Sequence, residues 1–373
     1  METQLWTVGV GITSLCNMSC LFCYSREQRK ADDLETDVWT AFMDNNAKVI
    51  RAINYGTGEN TLSEAWYELI AYVRQNFPWI RQALTTNGFL AEAIKDCNKA
   101  KIIKECIDEI DVSIDFADSL RHDTIRGFTG AFDMALSTLR YCRDNGKLAT
   151  IVALGLNDVL ECANLAKIFD LAEEYDALMR LNLYRHVNES SSFYPPSFLE
   201  VIKALDWIIK KYTVVSISEP VFKSVYGITN RGDDSCAYSV RILPNGNITP
   251  STYLISEEWV AGNILSGMVL DDLIHTNVFM RFWESVIPEK CEGCLYKETC
   301  KGGTRDRRFL KWGRLDDTDI YCPRDINGYF TREREVFPKL LDNKRTVHSD
   351  YLPTMIFSPI KNGGECVKCY RKG

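Results

Sequence analysis

The sequence contains no apolar run of the roughly 18–20 residues that a membrane-spanning helix requires. Residues 1–6 show neither a basic region nor a long apolar stretch, so no secretory signal is visible and we expect a cytoplasmic protein. Excess basic charge is also missing, because the formal net charge is −7. That balance argues against a broad nucleic-acid surface, and we expect neither nucleic acid nor a membrane among the partners.

Internal repeats and low-complexity tracts are absent as well. With 373 residues, the chain is too long for one minimal domain and suggests one large catalytic unit with an appendage. Its 46% hydrophobic and 25% charged residues are typical of an ordinary globular protein.

The chain is rich in cysteine, with 14 residues that are unevenly distributed. Three lie within residues 16–23, four within residues 291–322, and two at positions 366 and 369. Such short spacings in a chain without a signal peptide favour metal ligation over disulfide bonds. The cysteines in helical stretches are interpreted as buried thiols: Cys97, Cys106, Cys142 and Cys162.

Strand and helix signals alternate through the first half of the chain. The strand signals lie at residues 5–12, 49–54, 80–85, 110–114, 149–154 and 178–184. Six such units in series predict a parallel sheet with crossover helices, either a barrel or a doubly wound sheet. In these folds the chemistry lies at the C-terminal ends of the strands.

The first cysteine group follows the first predicted strand directly and consists of Cys16, Cys20 and Cys23. Three thiolates on one short loop can hold three corners of a 4Fe–4S cube, because soft ligands favour iron–sulfur clusters or zinc. One iron would then stay open and could chelate a small molecule through an amine and a carboxylate. The alternatives are a zinc site or three structural thiols, although zinc sites usually have paired spacing and a fourth ligand.

This spacing, with Phe22 before the last cysteine and a βα series around it, closely resembles the radical SAM superfamily over roughly residues 5–185. The resemblance implies an α/β fold, a partial (βα)6 TIM-like barrel. It implies a 4Fe–4S cluster that binds S-adenosylmethionine (SAM) through its open iron. The implied activity is reductive cleavage of SAM to a 5′-deoxyadenosyl radical, which abstracts hydrogen from a substrate.

Eight further residues are implied by the resemblance to bind SAM: Phe22, Gly56, Gly58, Glu59, Ser113, Arg126, Asn157 and Arg180. In the family, a Gly-Gly-Glu-like turn receives the amino group of SAM, and here Thr57 stands between the two glycines. Arg126 would be the partner of the SAM carboxylate. Read without the family, Asn157 could be a helix N-cap and Arg180 an ion-pair residue.

The second cysteine group comprises Cys291, Cys294, Cys300 and Cys322, whose four thiolates could fully ligate a 4Fe–4S cluster or zinc. Its spacing resembles the SPASM/twitch extension of radical SAM enzymes, a small C-terminal iron–sulfur module. The resemblance implies that these four residues hold one auxiliary 4Fe–4S cluster with no open site.

The SPASM pattern also includes cysteines for a further auxiliary cluster, and this sequence departs from the pattern at two of those positions. Ser251 and Thr304 stand where the family has cysteines, so only Cys236 remains of the usual ligands. Cys366 and Cys369 could rebuild that site, but we favour a loose C-terminal tail. The turn at residues 245–246 reads Asn-Gly, which predicts a tight hairpin.

These patterns divide the chain into four segments. Residues 1–190 are predicted as the radical SAM partial barrel and residues 191–235 as a helical and strand linker. Residues 236–325 are predicted as the SPASM/twitch-like domain, and residues 326–373 as a C-terminal tail carrying a C-x2-C pair.

SPASM enzymes mostly modify peptides, so the resemblance implies maturation of a ribosomal precursor peptide by crosslinking, epimerisation or backbone excision. A nif11-type peptide splicease is one such possibility. A separate leader-peptide-binding protein is expected, together with an electron donor such as flavodoxin or ferredoxin. The alternative is a radical SAM dehydrogenase or epimerase of a small molecule such as a sugar or aminoglycoside. No catalytic acid or base can be named from the pattern.

A third class, a non-enzymatic iron–sulfur electron carrier or scaffold, fits the sequence less well. Such a protein has no use for a SAM pocket, yet the chain has Gly58-Glu59, Ser113 and Arg126. A short open reading frame beside the gene would separate the peptide and small-molecule classes.

Overall fold

The computed structural model describes residues 5–26, 33–187, 192–228, 239–326, 338–341, 346–349 and 353–362. The strands in these ranges are β1 (Trp6–Val10), β2 (Ile50–Tyr55), β3 (Arg81–Thr86), β4 (Glu109–Ser113), β5 (Leu148–Gly155), β6 (Ala177–Leu183), β7 (Tyr212–Ile217), β8 (Ser239–Ile242), β9 (Asn247–Thr249), β10 (Gly262–Asn263) and β11 (Met355–Lys361). They form one sheet in the order β10-β9-β8-β1-β2-β3-β4-β5-β6-β11-β7.

The helices cover this sheet and connect its strands. They are α1 (Thr36–Asn46), α2 (Glu64–Asn76), α3 (Leu90–Ala93), α4 (Cys97–Cys106), α5 (Ser119–Arg126), α6 (Ala131–Asp144), α7 (Cys162–Glu174), α8 (Phe198–Lys211), α9 (Pro220–Val225), α10 (Asn277–Trp283), α11 (Lys297–Cys300) and α12 (Arg305–Trp312). Single 3-10 turns lie at Ala47–Val49, Asn60–Leu62, Glu257–Trp259, Ile264–Ser266, Leu270–His275, Glu289–Cys291, Pro323–Asp325 and Val347–Ser349. In the described ranges, no helix has the length and apolar character needed to cross a membrane.

The centre of the sheet consists of the six strands that the sequence predicts. All six are present, and their ends differ from the predicted ends by one or two residues. From β1 to β6 each strand pairs in parallel with the next, so that Val10 lies opposite Tyr55 and Tyr55 opposite Leu84. The predicted α/β fold with a large, mostly parallel sheet is therefore confirmed. Parallel strands end together, and their C-terminal ends form one edge on which side chains from six strands meet.

Apolar spacing explains why the connecting segments are helical and which face they bury. In α2 the buried residues Trp66, Leu69, Ile70 and Val73 recur at intervals of three and four, which places them on one face. Helix α8 starts with a capping box, in which the Ser197 hydroxyl accepts from the Glu200 amide and the Glu200 carboxylate accepts from the Ser197 amide. Helices of this kind pack on the sheet and make its strands buried on both faces.

Chain segments beyond the sixth strand extend the sheet on both sides. Within the predicted linker, residues 198–225 form α8, β7 and α9. On the other side β8 pairs in parallel with β1, placing Arg241 opposite Gly9. The hairpin between β8 and β9 turns at Gly246, whose φ is 82°, as the Asn-Gly pair predicts. The C-terminal half of the chain is thus joined to the barrel edge by backbone hydrogen bonds.

The last strand was not foreseen. Residues 326–373 were assigned to a tail, yet β11 lies between β6 and β7 and is antiparallel to both. Its residues Met355, Ile356 and Phe357 are fully buried. This strand is hard to predict because a single short apolar run carries little periodic signal. The paired Cys366 and Cys369 lie outside the described residues, as does Cys236.

The buried ring of Phe357 should contribute strongly to stability because it lies 6.4 Å from the ring of Phe169 in the covering helix. We expect Phe357→Ala to lower the free energy of unfolding by about 3–5 kcal/mol through lost contacts and an unfilled cavity. The measurement is anaerobic chemical denaturation followed by circular dichroism. Leu199→Ala is the control, since Leu199 is 56% exposed on α8 and its truncation should cost less than about 0.5 kcal/mol. Equal effects of the two substitutions would contradict the role given to β11.

Candidate functional site

The first cysteine loop, residues 11–26, leaves the C-terminal end of β1 and turns across the edge of the sheet. Local contacts define its path: the amide of Leu21 donates to the carbonyl of Ile125 at 3.1 Å, and the amide of Ser14 donates to the Asp33 carboxylate at 2.7 Å. Helix α5 ends in Gly127 with φ of 61°, and a Cβ there would lie 2.8 Å from the Ser19 carbonyl oxygen. The loop therefore needs glycine at this helix end.

A cleft of about 1230 Å³, including its open mouth, lies at this edge of the sheet. Each of the strands β2 to β6 contributes a lining residue, and so does β8: Asn54, Thr85, Ser113, Val152, Arg180 and Arg241. Side chains from strands so far apart in the sheet can line one cleft only if the sheet curves around it. The site is thus where parallel α/β folds concentrate their chemistry.

Cys16, Cys20 and Cys23 all line this cleft. Burial raises the pKa of the Cys20 thiol, while the neighbouring Arg126 guanidinium acts to lower it. Asn87 Nδ2 donates to Cys16 Sγ at 3.6 Å, and the Cys23 Sγ lies 3.4 Å from Ser25 Oγ. Three thiols with nearby polar hydrogens form a donor set that fits an iron–sulfur cluster.

The arrangement of the thiols also bears on the zinc alternative. In the part of the chain that the structure describes, no three Cys, His, Asp or Glu side chains are placed to hold a single metal ion. The cysteines of each group instead surround a space.

The turn after β2 packs tightly against the cysteine loop. Gly58 has φ of 63°, and a Cβ there would lie 2.4 Å from the Leu15 carbonyl oxygen and 2.5 Å from that of Thr13. Only glycine permits this approach. Thr57 has φ of 144°, a rare value for a β-branched residue and a sign of backbone strain at this site. The turn and the loop are therefore one structural unit.

Glu59 is fully buried and does not line the cleft. Its carboxylate accepts hydrogen bonds from Thr61 Oγ1 at 2.7 Å, from Thr86 Oγ1 at 2.9 Å and from the Asn87 amide at 2.8 Å. Burial raises its pKa, and these hydrogen bonds act in the opposite direction. The structure thus places Glu59 behind the cleft wall, where it fixes the turn after β3, and its contact with SAM stays a prediction.

The remaining predicted SAM-binding residues divide into two groups. Phe22, Gly56, Gly58, Ser113, Arg126 and Arg180 line the cleft together with the three cysteines. Asn157 does not, since it is exposed in the turn after β5. It occupies no cleft surface because that turn leaves the strand end and runs outward toward α7.

Both predicted arginines are engaged in buried ion pairs. Arg126 contacts the Asp115 carboxylate through Nη2 at 2.6 Å and Nε at 2.9 Å, and its guanidinium lies 5.1 Å from the Phe22 ring centre. Arg180 donates to Asp111 at 2.9 Å, the ion pair considered for it from the sequence. Burial acts to raise the pKa of Asp111, but Arg180 and His348 hold it well below its usual range.

Several cleft residues escaped the sequence analysis. His348 enters from the segment assigned to the tail, and its Nδ1 lies 2.9 Å from the Asp111 carboxylate. Arg241 and Tyr253 reach the cleft from the C-terminal half of the chain. No motif marks them, because only the three-dimensional approach of β8 and of residues 346–349 to the barrel brings them there.

The second cysteine group lines a separate cavity of about 290 Å³. All four predicted residues are present there: Cys291, Cys294, Cys300 and Cys322. Burial raises the pKa of the Cys322 thiol to about 11 and that of Cys300 to about 12. Protons that thiols hold in the metal-free protein are released when a metal binds. The four thiols line this space together with the Asp319 carboxylate, which is already paired with Arg307, and such a set of thiols fits a fully ligated cluster.

The two positions where the SPASM pattern loses cysteines have other contacts. The Ser251 hydroxyl donates to the Asp306 carboxylate at 3.3 Å. The amide of Thr304 donates to Asp319 at 2.8 Å. Both residues are buried, so their side chains have structural partners in place of a metal.

A buried ion-pair network connects the cleft with the second cavity. Arg185, which lines the cleft, contacts Asp306 at 2.9 Å and Glu219 at 3.3 Å. Arg307 contacts the same Glu219 at 2.7 Å and Asp319 at 2.8 Å. Asp319 in turn lines the cavity of the second cysteine group. The two sites are therefore held in a fixed relation by charges that are shielded from water.

Comparison with known proteins identifies the family. Residues 10–166 match the Radical SAM superfamily. Mycofactocin maturase MftC of Mycolicibacterium smegmatis is 23% identical over 348 residues, 88% of this chain and 85% of MftC. Fe-coproporphyrin III synthase of Methanosarcina barkeri is 25% identical over 372 residues, 86% of this chain and 88% of that protein. The crystal structure of Streptococcus suis SuiB bound to precursor peptide SuiA resembles the fold with a TM-score of 0.67 at 15% identity, over 85% of this chain and 75% of SuiB.

The likeness to SuiB confirms the fold, and the two sequence relatives extend well beyond the first six strands into the C-terminal cysteine module. The matched segment contains the three-cysteine loop and the cleft-lining ends of β2 to β4. Residues 10–166 therefore form a radical SAM domain, and the chain is a radical SAM enzyme.

Proposed function

We propose that Cys16, Cys20 and Cys23 hold a 4Fe–4S cluster at the cleft and that SAM binds beside it. The observation that carries this proposal is the lining of one cleft by all three cysteines and by the C-terminal strand ends. When bound, the cluster and SAM would supply one electron and a 5′-deoxyadenosyl radical. The protein's part is to position the reactants and to exclude water.

The residues that would contact SAM are Phe22, Gly56, Gly58, Ser113, Arg126 and Arg180, all of which line the cleft. The paired carboxylates of Asp115 and Asp111 fix the two guanidinium groups in place. Glu59 would act indirectly, because it fixes the turn at Thr86 and Asn87 that lines the cleft behind Cys16. Replacing Glu59 should therefore change the affinity for SAM and leave the cluster in place.

We further propose that Cys291, Cys294, Cys300 and Cys322 hold one auxiliary 4Fe–4S cluster. Their four thiols line one small cavity, which supports complete ligation by protein. The ion-pair network from Arg185 to Asp319 keeps this cavity at a fixed place relative to the cleft. Its role would be structural or electron-relaying.

Iron content and SAM cleavage test both cluster assignments together. Reconstituted protein should hold two clusters, about eight irons per chain. Replacing Cys16, Cys20 and Cys23 together with Ala should leave about half of this iron and abolish 5′-deoxyadenosine formation from SAM. The measurements are iron and sulfide analysis, EPR of the reduced protein and chromatography of the nucleoside product.

The matched control is Cys97→Ala. Cys97 was expected to be a buried thiol, but it is exposed at the start of α4, so its replacement should change neither iron content nor SAM cleavage. SAM cleavage by the triple variant would contradict the first assignment. The second would fail if that variant held zinc or gave no cluster signal.

The substrate is proposed to be a peptide, most simply a ribosomal precursor that undergoes crosslinking, epimerisation or backbone excision. SuiB, which shares the fold, binds the precursor peptide SuiA. Each residue of a flexible peptide costs about 1–2 kcal/mol of backbone entropy to fix, so a leader-binding partner would assist by raising effective concentration. Flavodoxin or ferredoxin would supply electrons.

Co-expression with a short peptide, if one is encoded beside the gene, tests the substrate class. We expect a mass change in the peptide that depends on the enzyme and becomes clear when the leader-binding protein is added. The control is the Cys16/Cys20/Cys23 triple Ala variant, which should leave the peptide mass unchanged. Mass spectrometry of the purified peptide is the measurement.

A second candidate is a small-molecule substrate, which the likeness to Fe-coproporphyrin III synthase favours. An unchanged peptide together with SAM-dependent turnover of a sugar, aminoglycoside or tetrapyrrole would move the protein to that class. Both outcomes presuppose the same cleft and the same first cluster.

A further inference from the structure

Arg241 differs from the other arginines of the cleft in its partners. Arg126 is paired with Asp115, Arg180 with Asp111, and Arg185 with Asp306 and Glu219. Among the described residues, by contrast, no carboxylate lies within ion-pair distance of Arg241. It is nevertheless only 2% exposed. A buried guanidinium without a counter-charge is costly, and such charges are normally paired.

The position of Arg241 is fixed by the fold. It lies on β8 opposite Gly9 of β1. Its Nη2 donates to the hydroxyl of Thr57, the residue between the two glycines of the turn after β2. Its Nε is buried and has no hydrogen-bond partner in the described part of the chain. Donor capacity therefore remains on a charged group that lines the cleft.

The described groups around Arg241 supply no unpaired negative charge that could neutralise its guanidinium. Burial lowers the pKa of the nearby His348, the guanidinium groups of Arg180 and Arg241 act in the same direction, and the contact with Asp111 acts against them. The Asp111 carboxylate is already shared between Arg180 and His348. This end of the cleft consequently carries net positive charge.

We infer that Arg241 is a carboxylate-binding residue of the cleft, distinct from Arg126, whose guanidinium is already paired with Asp115. A guanidinium presents N–H donors in a planar fork that matches a carboxylate, and such charge-assisted hydrogen bonds are short and strong. Two ligands could supply that carboxylate: SAM through its methionyl end, or the substrate through an acidic side chain or a chain terminus. This inference relies on the proposed function only for the identity of these two ligands.

The first test compares SAM with decarboxylated SAM. Binding of each to reconstituted enzyme is measured by equilibrium dialysis for the wild type, Arg241→Gln and Arg241→Lys. If SAM supplies the carboxylate, Arg241→Gln should raise the Kd of SAM by about 10- to 100-fold and leave that of decarboxylated SAM unchanged. Arg241→Lys keeps the charge but loses the planar pair of donors, so its Kd for SAM should lie between those of the wild type and Arg241→Gln. This second variant also gives a result if Arg241→Gln folds poorly. Arg140→Gln, on the exposed side of α6, is the matched control.

The second test uses acetate as a probe for a substrate carboxylate. The thermal midpoint of SAM-saturated enzyme is measured in sodium acetate and in sodium chloride at equal ionic strength. If SAM affinity is unaffected by Arg241→Gln, acetate should raise the midpoint of the wild type and of Arg140→Gln but not that of Arg241→Gln.

Two results would overturn the inference. One is an equal loss of affinity for SAM and decarboxylated SAM in Arg241→Gln. The other is unchanged SAM affinity together with an acetate effect that is the same, or absent, in wild type and variant. A wild type that neither binds nor cleaves SAM would instead refute the proposed function.

Discussion

The close approach of the turn at Gly56–Thr57–Gly58 to the first cysteine loop is the constraint on which the site depends. A Cβ at Gly58 would lie within 2.5 Å of two carbonyl oxygens of the loop, and the Glu59 amide donates to one of them, that of Leu15, at 2.8 Å. On the other side Gly127 approaches Ser19 in the same manner. Two glycines thus allow neighbouring strand ends to hold the loop, and with it the three thiols, over the edge of the sheet.

Buried ion pairs fix the other parts of the interior relative to one another. The buried chain of Arg185, Glu219, Arg307 and Asp319 leads from the cleft to the second cysteine cavity without exposure to water. Removing one partner of such a pair leaves an uncompensated buried charge and typically costs about 3–5 kcal/mol. This arrangement explains how a small cysteine-rich module can keep a fixed position against a large sheet. It also distinguishes Arg241, whose charge has no such partner among the described residues.

Local patterns in the sequence predicted much of the fold. The six central strands were foreseen because hydrophobic spacing is a local signal. The three-cysteine loop, Ser113 and Arg126 meet at one cleft because parallel strand ends form one edge, while their roles as cluster and SAM ligands stay predictions. Long-range arrangements were not foreseen: the insertion of β11, the entry of His348 and the approach of Arg241 each depend on packing between distant segments. The direction of the Glu59 side chain could not be predicted either, because a motif fixes a residue's place in the chain and not where its side chain points.

A structure of the reconstituted enzyme with SAM bound tests the central claim most directly. The account predicts SAM in the cleft at the C-terminal ends of the strands, between the Cys16–Cys20–Cys23 loop and Ser113, with its methionyl end at the turn containing Gly56 and Gly58. SAM bound at the opposite edge of the sheet, or at the second cysteine cavity, would contradict it.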